Sequence, residues 1–183
     1  MSLAEIIGFV HERDRDTYDL FAQQGDEATI ADVERFEARI GFTLPDEFRE
    51  FAVHPLGGLY IEVKDSVWPK AEPYAVGPFW SFLRGVMVYS LSSAAPEWLQ
   101  MEKAWAEMKE QGCSDCVPFL RLISDSAPLC FRPDGSIIRW SPGDPEDPER
   151  INGSFYSILA DEIADLESRV ERKRRGEDKE FDK

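Results

Sequence analysis

The sequence predicts an α+β fold, a single domain in which a mostly antiparallel sheet of about five or six strands carries helices packed against it. Three observations predict it. The chain has 183 residues, 43% hydrophobic and 12% aromatic, which suits one sizeable core built without metal or disulfide staples. Short β-branched and aromatic runs are separated by Gly, Pro, Asp and Ser, as strands joined by turns are. Apolar stripes at helical spacing open on capping residues near both ends of the chain.

Ser2-Leu3-Ala4-Glu5 is a capping-box pattern, and Leu3, Ile6, Ile7 and Val10 follow on one face of a short helix. Residues 11–25 are charged, with Tyr18, Leu20 and Phe21 in need of a docking place. Thr29-Ile30-Ala31-Asp32 opens a clearer helix over residues 30–40, striped by Ile30, Val33, Phe36 and Ile40, with Gly41 placed to end it. Pro45 suits the first turn of the next helix, where its missing N–H is not needed. Asp46 and Glu47 then face the positive end of the dipole, and Phe48, Phe51 and Ala52 supply the apolar side.

His54-Pro55 stops that helix, and Gly57-Gly58 turns the chain into a strand over residues 59–63. Residues 79–83 and 86–91 read as a hairpin or two adjoining strands around Arg84-Gly85. A helix follows with Trp98, Leu99, Trp105 and Met108 on its inner face, closed by Gly112. Residues 119–123, 129–132 and 137–140 read as strands, and Pro133-Asp134-Gly135-Ser136 makes the last two the strongest hairpin. Residues 142–150, with three prolines and four acids, are a loop by composition. Ser154 caps a final helix striped by Phe155, Ile158, Leu159, Ile163, Leu166 and Val170. This reading divides the chain into a helical extension over residues 1–28, an α+β domain over 29–170 and a charged, frayed tail over 171–183.

Charge narrows the function. Lys and Arg number 21 and Asp and Glu 36, a net charge of −15, and because residues 169–183 are locally +2 the body before them carries −17. Phosphate recognition needs a basic stripe, so nucleic acid and anionic membranes are not expected partners. The Arg169 to Arg175 cluster reads as an ordinary complement to the end of a helix dipole. The weakly charged run over residues 73–96 contains Arg84, Gly77 and Pro78, which does not suit a membrane span. An acidic N-terminal segment without a basic leader, and an odd count of three cysteines, fit a cytoplasmic chain with free thiols at Cys113, Cys116 and Cys130.

Catalytic candidates are thin. The only histidines are His11 and His54, and the chain has no nucleophile elbow, zincin motif or phosphate-binding glycine loop. Asp14-x-Asp16 starts like a calcium loop, but Asp19 stands where glycine is needed and Gly25 where the bidentate glutamate belongs. Cys113-Ser114-Asp115-Cys116 has the spacing of half a zinc site or a redox pair, without a second paired motif. It reads as two cysteines at a helix-to-strand junction, so no metal, cofactor or catalytic residue is assigned. Trp68, Trp80, Trp98, Trp105 and Trp140 could mark a sugar or peptide groove, but core or core-rim packing is the expectation for each.

Ile30, Val33, Phe36-Glu37, Ile40-Gly41-Phe42, Leu44-Pro45, Phe48, Phe51 and Gly57-Gly58 together resemble the signature of the SUKH superfamily. That group takes in fungal cell-wall-assembly regulators and bacterial immunity proteins of polymorphic toxin systems. Tyr89-Ser90-Leu91 before a helix, and Asp134-Gly135 followed by Gly153-Ser154-Phe155, also fit, so the resemblance spans residues 30 to about 170. Leu56 stands where the family commonly has Asn before Gly-Gly, which removes one side-chain hydrogen bond.

The resemblance implies a non-catalytic protein-binding domain, foremost an immunity protein that neutralises a cognate toxin. A cationic toxin domain, such as a nuclease, is the implied partner, because an acidic body speeds encounter and can cover a phosphate-binding surface. Glu146, Asp147 and Glu149 on the proline-rich loop are the contact candidates, while Glu37, Gly41, Leu44, Pro45, Phe48, Phe51, Gly57 and Gly58 are structural. A regulatory interaction module with a cellular partner is the alternative, and a carboxylate- or zinc-dependent hydrolase is a remote one.

Overall fold

A computed structural model of the chain describes residues 1–22, 25–72, 74–113, 115–141 and 148–178. Helix α1 (Leu3–His11) opens on the Ser2 capping box, and α2 (Ile30–Ile40) on the one formed by Thr29 and Asp32. Both follow the sequence expectation. Gly41 ends α2 at φ 83°, a left-handed conformation that favours glycine. Pro45 caps α3 (Asp46–Ala52), and Ser154 caps the long α5 (Phe155–Arg174). Helix α4 (Met101–Glu110) is shorter than its apolar pattern suggests.

The fold is α+β, with one antiparallel sheet of seven strands in simple sequence order, slightly more than predicted. The strands are β1 (Tyr18–Phe21), β2 (Tyr60–Val63), β3 (Gly85–Val88), β4 (Val117–Leu122), β5 (Leu129–Phe131), β6 (Ile137–Arg139) and β7 (Glu149–Ile151). The two edge strands are the additions. Residues 18–21 alternate buried and exposed positions and pair with β2, Tyr18 opposite Val63 and Phe21 opposite Tyr60, which gives Tyr18 and Leu20 their docking place. Residues 149–151, read as loop, pair with β6, Glu149 opposite Arg139.

The region before β3 also departs from expectation. Residues 79–83 are not a strand: Pro78 leads into a 3-10 turn, Phe79–Phe82, in which Ser81 donates to the Pro78 carbonyl at 2.7 Å. Strand β3 pairs instead with β2 and β4. A second 3-10 turn, Glu97–Leu99, follows Pro96, so Trp98 lies outside α4 and off its buried face. The hairpin of β5 and β6 forms as the Asp134-Gly135 turn predicts.

Strand alternation sends Ile61, Val63, Val86, Val88 and Phe131 to an inner face, covered by α5 with α3 and α1 beside it. At its centre Phe48, Phe51, Phe119, Phe131 and Phe155 meet in edge-on and stacked pairs, with centroids 4.0 to 6.5 Å apart. A bulge at Pro118 to Leu120 turns both Phe119 and Leu120 toward this core. On the outer face, a smaller cluster of Met108, Cys113, Cys116, Cys130, Ile138 and Trp140 fills the space between α4 and the strands β5 and β6.

Candidate functional site: an open aromatic and acidic half of the outer sheet face

Helix α4 packs against β4, which leaves the outer side of β1 and β2 without a helix among the described residues. Three aromatics line this half. Phe21 of β1 lies opposite Tyr60 of β2, and Trp98 stands edge-on to Tyr60 with ring centroids 5.4 Å apart. Trp98 is 55% exposed and Phe21 44%, unusual for residues of this size. Pro96 accounts for Trp98, because its 3-10 turn sets the indole over the sheet rather than into the core.

Carboxylates border the aromatics. Asp19 lies opposite Glu62 across the β1–β2 ladder, and both project on the same side as Phe21 and Tyr60. The Tyr60 hydroxyl donates to Glu62 Oε2 at 2.6 Å; burial, then that hydrogen bond to an anion, hold its phenol well above the ordinary range. Glu97, beside Trp98, is exposed, with Lys103 at 3.7 Å. A cleft of about 550 Å³ continues the surface past Glu62, walled by Phe79, Phe82 and Ile123. Phe79 is 63% exposed at its mouth.

Arg84 forms the floor. It is buried, donating from Nη2 to the Val63 carbonyl at 2.7 Å and to Asp65 Oδ1 at 2.6 Å, with Nη1 3.3 Å from Glu62 Oε1. Two carboxylates and a carbonyl around one guanidinium compensate its buried charge through Nη1 and Nη2, with no partner for Nε among the described residues, and lock β2 against the start of β3. The half-face can therefore offer aromatic planes, a fixed Glu62 and the freer carboxylates of Asp19 and Glu97. That chemistry suits cationic side chains.

Of the predicted contact residues, Glu149 alone is among the described residues, and it lies at the other edge of the sheet. Glu146 and Asp147 fall outside the described residues. Glu149 is in β7 rather than a loop, and Arg139 holds it with Nε 3.3 Å away while also bonding Asp125 Oδ2 at 2.8 Å. The thiol expectation also needs correction. Cys113 and Cys116 are joined as a disulfide, because Gly112 turns the chain at the end of α4 and brings their Cα atoms to 6.5 Å; Cys130 stays a buried free thiol, its acidity lowered by burial. Of the tryptophans, Trp68 and Trp140 are buried, Trp80 and Trp105 half-buried, and Trp98 alone is exposed.

The signature residues have local jobs. Glu37 Oε1 accepts the Leu44 amide at 2.8 Å and lies 3.2 Å from Arg49 Nε, fixing the corner between α2 and α3. Leu44, Phe48 and Phe51 are wholly buried behind that corner. A Cβ on Gly57 would lie 2.5 Å from the Ala52 carbonyl oxygen, so only glycine allows α3 to fold back this tightly; Gly58 follows it into the core. The family model described as SMI1 / KNR4 family (SUKH-1) matches residues 27–161. The chain belongs to the SUKH-1 family. No curated protein matches it closely enough to name as a relative. Within this SUKH-1 domain the α2–α3 corner packs on the inner face, so the signature holds the fold, away from the outer half of the sheet.

Proposed function

We propose that this SUKH-1 domain is a non-catalytic protein-binding module, of the immunity type, whose partner is a cationic protein seated on the open half of the outer sheet face. The family includes toxin-immunity proteins and fungal regulators. The observation that carries the surface is the continuous run of Phe21, Tyr60 and Trp98, exposed or half-exposed and bordered by Asp19, Glu62 and Glu97. Clustered exposed aromatics are what interfaces use as anchors, and the carboxylates select for positive charge. A net charge of −17 over residues 1–168 supports the same sign of partner.

The test is to co-express the chain with the product of the gene beside its own. A stable complex, together with rescue of growth if that product is toxic, is the expected outcome. Loss of complex in Trp98→Ala with an unchanged melting temperature locates the surface. No complex and no rescue would overturn the immunity reading, and a complex indifferent to Trp98→Ala and Phe21→Ser would overturn the surface.

A further inference from the structure

The Cys113 to Cys116 segment joins the end of α4 to the start of β4, and its side chains converge more than the sequence spacing requires. The two sulfurs and a carboxylate oxygen of Asp115 all lie within 4.8 Å of one another. Tetrahedral zinc, with Zn–S of about 2.3 Å, sets sulfur-to-sulfur edges of about 3.8 Å, so ligand atoms gathered this closely need only small shifts to surround it. Asp115 is also oriented: Arg132 Nη2 donates to its Oδ2, leaving Oδ1 for another partner. A carboxylate held by a neighbouring guanidinium is the outer-shell support that metal ligands commonly have.

We propose that, when the disulfide is reduced, this chain binds one zinc ion through the Cys113 and Cys116 thiolates and the Asp115 carboxylate, with solvent in the fourth position. The exposure of Asp115 beside two buried cysteines leaves that position facing water. Binding converts two thiols to thiolates and releases two protons to solvent, so affinity falls as pH falls. The disulfide and the metal exclude each other. Opening the bond takes two electrons, supplied for example by a phosphine that takes its oxygen from water and leaves as the oxide, while the two protons of that water go to the sulfurs. The ion then clips the end of α4 to β4 and, through Asp115 and Arg132, to the turn between β5 and β6. The site is separate from the proposed partner surface, because residues 113–116 follow the C-terminal end of α4, whereas Trp98 precedes its start and Phe21 and Tyr60 belong to β1 and β2.

Cobalt titration of the phosphine-reduced full chain tests it. A thiolate-to-cobalt charge-transfer band that saturates at one equivalent and is displaced by zinc is the expected result. Calorimetry of zinc binding should show an enthalpy that changes with buffer ionisation heat, as proton release requires. The oxidised wild-type chain, which needs no substitution, should give neither signal. Cys113→Ser and Cys116→Ser should abolish the band, Asp115→Asn should weaken zinc by about tenfold or more, and Cys130→Ser should leave it unchanged. Absence of the band in the reduced wild type, its survival in either serine variant, or wild-type affinity in Asp115→Asn would each overturn the three-ligand site.

Discussion

Glu37 illustrates how one side chain carries a corner of this fold. Its Oε1 takes the Leu44 amide and faces Arg49, so alanine there leaves a half-buried N–H and a guanidinium without their acceptor. Glu37→Ala should cost about 1–3 kcal/mol of unfolding free energy in urea titrations. Glu37→Gln, which keeps an oxygen in place, should recover part of that loss. Glycines at the same corner should separate two kinds of strain. Gly41 has open space around a built Cβ and only its positive φ to object, so Gly41→Ala should cost about 1–2 kcal/mol. Gly57→Ala drives carbon against backbone oxygens of Ala52 and His54, which cannot move aside as a flexible side chain would, and should cost more. The order of melting temperatures, wild type above Gly41→Ala above Gly57→Ala, checks both. Gly41 and Gly57 were readable in the sequence, one as a helix end and the other as a turn, whereas Glu37 was picked out only by the family resemblance. Trp98 was not readable, since its apolar spacing matches the α4 stripe and only the Pro96 turn takes it off that face.

Among the elements, α5 was the easiest to read and carries a half-buried carboxylate, Glu162. Its apolar stripe faces β3 and its N-terminus is tied to α3, where Glu47 accepts the Tyr156 amide at 2.9 Å and Glu50 the Tyr156 hydroxyl at 2.8 Å. Further along, Glu162 faces Arg169 and Asp165 of its own helix and Arg139 and Asp125 from the sheet side. Burial raises its pKa, and the two arginines only partly oppose that shift. The folded form thus holds the Glu162 proton to higher pH than the unfolded chain does. Its burden on stability is absent below the unfolded pKa and grows as pH rises through the folded one. Glu162→Gln should therefore stabilise the chain more at neutral pH than at pH 4, read from paired melting curves; an equal effect at both values would refute this. The weakest sequence readings were the short edge strands β1 and β7. At three or four residues they carry little period-two signal, and pairing with β2 and β6 rather than propensity makes them strands. The same holds for residues 79–83, where β-forming composition yields to the proline-led turn that sets Phe79 at the cleft.

Across the whole molecule, a few arginines are tied into the sheet and α5 by carboxylates, while most of the other paired cations sit at the surface. Arg84 is enclosed by Glu62 and Asp65, Arg139 by Asp125 and Glu149, and Arg13 pairs with Glu167 on α5. With 36 acids against 21 bases, acids are in excess over the chain. The composition announced that sign, but only the fold shows aromatic rings and carboxylates meeting on one uncovered half-face. On the proposed reading, the two kinds of residue act at different moments. Long-range charge accelerates encounter, whereas a ring buried in the complex slows its separation. With the partner in hand, Asp19→Lys and Glu97→Lys should lower the association rate and flatten its dependence on salt, leaving dissociation nearly unchanged. Trp98→Ala should do the reverse, raising the dissociation rate by roughly thirtyfold for a loss of about 2 kcal/mol, with little change in salt dependence. Stopped-flow association across a salt series and surface-based dissociation measurements resolve the two. An association rate flat from low to high salt in the wild type would remove charge steering from the account, whereas unchanged dissociation in Trp98→Ala would move the anchor off the sheet face.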